Sequence, residues 1–74
     1  MTVETFIVAM LELLTLGSAG QIRSGMNLIG GDMNPKILSE ILGEMVRKDI
    51  LYVHNINNHK YYGLQQEYKD KLLE

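Results

Sequence analysis

The spacing of apolar positions between residues 34 and 64 changes once, from the period of a helix to that of a strand. Asn34 is a favourable N-cap, and Pro35 lacks only an N–H that would have no partner in the first helical turn. Apolar residues then recur every three or four positions, which predicts an amphipathic helix over residues 35–48. These apolar residues are Leu38, Ile41, Leu42, Met45 and Val46.

Two short runs of β-branched and aromatic residues come after this helix. Residues 50–53 and 60–64 flank a polar segment that contains Asn57 and Asn58. Because asparagine tolerates positive φ, this pair predicts a tight turn between two antiparallel strands. The chain is therefore expected to run from a helix directly into a β-hairpin.

Two further helices are predicted before residue 34. Thr2 is expected to cap the first, which is apolar on more than one side and so is expected to be buried on several sides or between two copies. Gly17 is expected to end it in the left-handed conformation. Ser18 and Gln21 match a capping box at the start of the second helix, and the Gly30–Gly31 pair breaks the chain after it.

The final segment also has helical spacing. Leu64, Tyr68 and Leu72 are four residues apart, which predicts a short amphipathic helix over residues 66–74. No linker or repeat divides the chain, so residues 1–74 are expected to form a single domain. The predicted fold class is mainly α with a small β-hairpin.

Composition limits the classes of protein. The 74 residues include no cysteine and carry a net charge of −2. The densest apolar run, residues 6–16, is too short to span a bilayer and lacks the flanks of a secretory signal. We therefore expect no membrane partner and a cytoplasmic location. The negative balance counts against nucleic-acid binding, although residues 50–64 hold one lysine, two histidines and no acid.

The order of these elements resembles the winged helix-turn-helix superfamily, α-α-α-β-β-α. Residues 18–22 correspond to the supporting helix, 35–48 to the recognition helix and 60–64 to the return strand of the wing. This return strand and the predicted C-terminal helix are similar to those of small MarR-, ArsR- and PadR-like transcriptional regulators of bacteria and archaea. The resemblance covers almost the whole chain.

This resemblance implies a homodimeric, double-stranded-DNA-binding regulator. The recognition helix would enter the major groove, and the wing at 54–60 would lie on the backbone or in the minor groove. Lysine, serine and glutamate side chains can read base edges there, and isoleucine can meet thymine methyl groups. The implied DNA-binding residues are Ser18, Gln21, Arg23, Lys36, Ile37, Ser39, Glu40, Arg47, Asn55, Asn57, Asn58, His59 and Lys60.

Each of these groups also has a purely structural interpretation. The polar helix face can simply be solvated, the asparagines can serve the turn, and Ser18 can serve as a cap. Residues 34–49 sum to zero charge, unlike the basic reading faces of such regulators. A winged-helix module that binds protein, or a subunit of a nucleoprotein assembly, therefore remains an alternative. The first helix and the Leu64, Tyr68 and Leu72 face are the expected dimer surfaces.

No pattern in the sequence indicates an enzyme. Gly30 and Gly31 lack the spacing and the lysine of a phosphate-binding loop, and no cysteine or Ser-His-carboxylate pattern is present. His54 and His59 flank the predicted turn, and we expect them to face each other across it. Two imidazoles without a third ligand make a poor metal site, so neither a metal nor another cofactor is expected.

Overall fold

The computed structural model describes residues 2–68, which form three helices followed by an antiparallel two-stranded hairpin. The helices are α1 (Val3–Leu14), α2 (Ala19–Leu28) and α3 (Pro35–Arg47), and the strands are β1 (Leu51–Ile56) and β2 (His59–Leu64). The predicted fold class, mainly helical with a small β-hairpin, is confirmed. Among these residues, no helix combines the length and the apolar character needed to cross a bilayer.

All three helices begin with the N-caps that the sequence predicts. The Thr2 hydroxyl accepts a hydrogen bond from the Thr5 N–H at 3.1 Å, and the Asn34 side chain accepts one from the Lys36 N–H at 2.8 Å. Ser18 and Gln21 form the complete capping box, in which each side chain accepts from the other residue's N–H. These caps occupy backbone donors that have no partner within the helix.

Helices α2 and α3 both end in a Schellman motif. After α2, Gly30 has φ +87°, and the N–H of the next residue donates to the Met26 carbonyl at 2.9 Å. After α3, Asp49 takes the left-handed position with φ +61°, and the Ile50 N–H donates to the Met45 carbonyl at 3.0 Å. Met45 and Ile50 are both buried, so their contact supports a conformation that costs an L-residue about 1–2 kcal/mol.

The prediction for Gly17 is wrong. Helix α1 ends at Leu14, and it is Thr15 that has positive φ, at +70°, whereas Gly17 does not. Gly17 is buried, and a Cβ atom there would lie 3.0 Å from a methyl group of Leu11. Glycine at this position thus relieves crowding against Leu11 and does not serve a left-handed turn.

The hairpin has the turn that the two asparagines predict. Asn57 and Asn58 have φ +51° and +68°, and the strands pair from Leu51 opposite Leu64 to Ile56 opposite His59. Two positive φ values in succession are the signature of a type I′ turn, whose twist matches that of the strands. The two-residue loop therefore fixes the register of the whole hairpin.

A backbone contact that the sequence does not predict joins the hairpin to the helices. The Gly17 N–H donates to the Tyr62 carbonyl at 3.0 Å, and the Tyr62 N–H donates to the Gly17 carbonyl at 2.8 Å. Strand β2 is therefore paired on both sides, with β1 along one edge and with the α1–α2 connection at one point of the other.

One core holds all five elements together. Tyr62 packs against it, as expected of at least one hairpin tyrosine, and the β1 residue Leu51 is fully buried. Within one copy, helix α1 is buried on one side only, since Leu13 is 85% exposed. Its buried side packs against α2 and β2, and its remaining surface faces solvent. The buried residues are Ile7, Val8, Leu11, Ile22, Met26, Leu38, Leu42, Met45, Ile50 and Leu51.

Within the predicted helix over residues 66–74, residues 66 and 67 form a turn and Tyr68 is helical. Leu72 and the other positions after 68 lie outside the described residues. The Tyr68 hydroxyl donates to the Glu12 carboxylate of α1 at 2.8 Å, and this hydrogen bond raises the pKa of Tyr68. The end of the described chain is thus fastened to the first helix.

Candidate nucleic-acid interface

Helix α3 buries most of its apolar residues on one side and exposes its polar residues, with Ile37, on the other. Its apolar side packs against α2 and the base of β1, with Leu38, Leu42 and Met45 buried. Its polar side is exposed along the whole helix. We define the outward face of α3 as the exposed residues Lys36, Ile37, Ser39, Glu40, Glu44 and Arg47.

The outward face of α3 has no net charge, and one of its two cations is already paired. The Arg47 Nε donates to the Glu44 carboxylate at 3.1 Å, and Arg47 Nη2 donates to the same oxygen. These hydrogen bonds, together with the guanidinium charge, lower the pKa of Glu44. Glu44 therefore stays ionised at neutral pH and competes with any phosphate for Arg47.

Gly43 lies among the residues of this face, although glycine is a poor helix former. A Cβ atom at Gly43 would meet no other atom within 4 Å, so the rest of the described chain does not require glycine there. At Gly25 of α2, by contrast, a Cβ atom would lie 2.7 Å from the Met10 side chain. Gly25 thus allows α1 and α2 to approach each other, whereas Gly43 has no such role.

We expect Gly43→Ala to raise the free energy of unfolding by about 0.5–1 kcal/mol, because alanine restricts the unfolded chain and meets no obstacle in the folded one. Urea denaturation followed by circular dichroism measures this change. Gly25→Ala is the matched control, which should gain less or lose stability because Met10 must move. A destabilised Gly43→Ala protein would show that something in the fold approaches this position closely.

The hairpin has two different faces. Residues that are opposite each other in the register share a face, so one face includes Val53 and Tyr62, and the other includes Tyr52, with its ring over Gly63. The predicted wing contacts all lie at the exposed end of the hairpin. They are Asn55, Asn57, Asn58, His59 and Lys60, and each is exposed.

The two histidines are not opposite each other, contrary to expectation. His54 is opposite Tyr61, and His59 is opposite Ile56, so the imidazoles are diagonal neighbours on one face. No three His, Asp or Glu side chains within residues 2–68 are grouped in a way that could hold a metal ion. This face is an aromatic and imidazole surface without a carboxylate, since residues 50–64 contain no acid.

The predicted contacts at the start of α2 are largely engaged within the protein. The N–H groups of Ser18 and Gln21 are hydrogen bonded in the capping box, so these two amides are not open to a phosphate. Arg23 is partly buried, and its Nε donates to the Met33 carbonyl at 3.0 Å. Arg23 therefore fastens the segment that leads into α3.

Sequence reasoning missed two features of this surface. Glu44 is recognisable in the sequence as an exposed acid, but its pairing with Arg47 was not predicted, although residues three apart on a helix are neighbours. The position of Tyr52 over Gly63 was also missed. The signal for it is a glycine within a strand, which often marks close approach of another group.

Comparisons with known proteins add no relative: no family model, no curated protein and no solved structure matches the chain.

Proposed function

We propose that this chain is a winged helix-turn-helix protein that binds double-stranded DNA in a sequence-specific manner, as a homodimeric transcriptional regulator. The observation that carries the proposal is the outward face of α3, whose polar side chains are exposed on a helix that the core holds rigidly beside a hairpin. The bridge between Gly17 and Tyr62 supports it, because it ties the proposed wing to the connection before the supporting helix.

In this proposal, α3 is the recognition helix. Its N-terminal residues Lys36, Ser39 and Glu40 would face base edges in the major groove, where lysine donates to guanine acceptors and glutamate accepts from the cytosine amine. Ile37, which is 50% exposed, would meet thymine methyl groups. The buried side of α3 supplies the rigidity that base readout requires.

The hairpin would act as the wing. Lys60 is the one lysine of the hairpin. The side chains of Asn57 and Asn58 are available for hydrogen bonds, because the turn depends on the backbone conformation of these residues. Contacts of this kind to phosphate or to the minor groove position a protein on the duplex. The absence of acids from residues 50–64 suits this role.

One observation favours a second function, a winged-helix module that binds another protein or joins a nucleoprotein assembly. On the outward face of α3, two positive side chains are balanced by two glutamates, Glu40 and Glu44. Arg47 already forms a salt bridge with Glu44. A neutral face with an exposed isoleucine suits a protein partner as well as it suits DNA. DNA remains the first proposal because the hairpin carries no acid.

The test is fluorescence anisotropy with labelled duplex DNA at two salt concentrations, after selection of bound sequences from a random pool. We expect binding with a clear salt dependence, and Lys36→Ala should weaken it and relax the preference at one base position. Lys48→Ala removes the same charge at the other end of α3 and should leave the base preference unchanged. Absence of binding at low salt would favour the protein-interaction module.

A further inference from the structure

The outer edge of β1 is open. Tyr62 uses both its N–H and its C=O for Gly17, so its partner across the hairpin, Val53, belongs to a pair that exchanges no hydrogen bonds. The N–H and C=O of Val53 therefore point away from β2. No hydrogen bond from the rest of residues 2–68 reaches them. The same alternation directs the backbone groups of Asn55 to this edge.

Strand β1 has none of the devices that usually keep such an edge from pairing. Its sequence, LYVHNI, contains no lysine, no acid and no proline. Tyr52, Val53 and Ile56 are all exposed on it, with Val53 at 38%. Leu51 is buried and its C=O accepts from the Gln65 side chain at 3.5 Å, so the open part of this edge is residues 52–56. An open edge of this composition is a template for another strand.

We propose that β1 pairs with β1 of a second copy of this chain, in antiparallel orientation about Val53, to form a four-stranded sheet. The two-fold axis would place Val53 opposite its own copy and Tyr52 opposite the copy's His54. Each Val53 would then donate to and accept from the other. This inference deepens the proposed homodimer, on which it rests, but it does not require DNA binding.

Two features favour a second copy as the occupant. The first is charge: β1 has no acidic or basic side chain apart from its histidine, so self-pairing brings no like charges of Asp, Glu, Lys or Arg together. The second is closure. The opposite edge of the hairpin is engaged by Gly17 at Tyr62, so pairing along β1 ends at two copies rather than continuing into a fibre.

The proposed dimer surface, the edge of β1, differs from the surfaces that the sequence suggested, which are the first helix and the Leu64, Tyr68 and Leu72 face. Helix α1 buries Ile7, Val8 and Leu11 in its own core and leaves Leu13 and Leu14 exposed, whereas the pairing proposed here uses the edge of β1. The pairing also uses no residue of the outward face of α3. Dimer formation and DNA binding can therefore be lost separately.

The experiment is sedimentation velocity of the full chain without DNA over a wide range of concentrations. We expect a monomer–dimer equilibrium in the wild type that Val53→Pro weakens at least ~10-fold, because proline removes the N–H that faces the partner and is tolerated at an edge. Val53→Thr keeps this N–H and should keep the dimer. His54→Pro removes an N–H that faces β2, so it should destabilise the hairpin itself.

Val53→Lys is a second variant that leaves the backbone intact and should also weaken the dimer, since the two-fold axis places the two lysines directly opposite each other. A wild type that stays monomeric, one that assembles beyond the dimer, or a folded Val53→Pro protein that dimerises like the wild type would each overturn the proposal. DNA binding by a monomeric variant would leave the proposed function standing while the pairing fails. Dimers that do not bind DNA would support the pairing and contradict the proposed function.

Discussion

Leu42→Ala should cost about 2–5 kcal/mol of folding free energy, the range for truncating a fully buried leucine. Leu42 is 0% exposed and lies in the middle of α3, where it contributes to the core that holds all five elements. A 74-residue domain has a total stability on the order of 4–11 kcal/mol, so this single change is expected to bring the protein close to unfolding. Urea denaturation at 25 °C gives the difference directly.

Ile37→Ala is the control on the same helix. It removes a similar aliphatic side chain, but Ile37 is half-exposed, so we expect a much smaller loss of stability than at Leu42. Equal losses at the two positions would contradict the orientation of α3, with Leu42 inward and Ile37 outward. That orientation also decides which residues are available to a ligand, so this prediction tests the basis of the candidate interface.

Local features of the fold were predictable because their causes lie within a few residues. A capping box depends on side chains that reach the next turn, and Ser18 and Gln21 form theirs as expected. The hairpin turn depends on residues that tolerate positive φ, and Asn57 and Asn58 both adopt it. In these places, residue type and local geometry are directly related.

Features that depend on distant contacts were not predictable in the same way. Glycine is common at helix ends, which is why the sequence favours that role for Gly17, but its actual role is set by Leu11 and by Tyr62, far along the chain. A glycine indicates that the backbone needs freedom, without indicating whether φ or space is the reason. The bridge to Tyr62 leaves no local signal in the sequence at all.

For the candidate interface, the sequence predicts which side chains of α3 are exposed, but not which of its polar groups are already hydrogen bonded within the protein. Helical periodicity correctly indicates that Lys36, Ser39 and Glu40 are exposed. It does not indicate which backbone amides and guanidinium groups the protein uses internally. The resemblance implies DNA contacts for Ser18, Gln21 and Arg23, but each makes hydrogen bonds within the chain. Whether a donor is used within the protein or is available to DNA can be decided only when the positions of its partner atoms are known.

The same competition leads to the second large effect, at Glu44. Glu44→Gln should strengthen duplex DNA binding, because it removes a negative charge from the outward face of α3 and releases Arg47 from a charged partner. If the freed guanidinium neutralises one more phosphate, the logarithm of the binding constant should fall more steeply with the logarithm of salt concentration, by about 0.9. Anisotropy titrations over a salt series measure both quantities.

Glu4→Gln provides the matched control, since it changes the net charge equally but lies in the first turn of α1, on a different helix. A general charge effect would increase binding equally in the two variants. An effect through Arg47 would appear only in Glu44→Gln and would be removed by a further Arg47→Gln substitution. Should Glu44→Gln bind DNA no better than Glu4→Gln, the C-terminal half of α3 does not face phosphate. The protein-interaction module would then account better for the Glu44–Arg47 pair, because a neutral helix face has no need of a free cation.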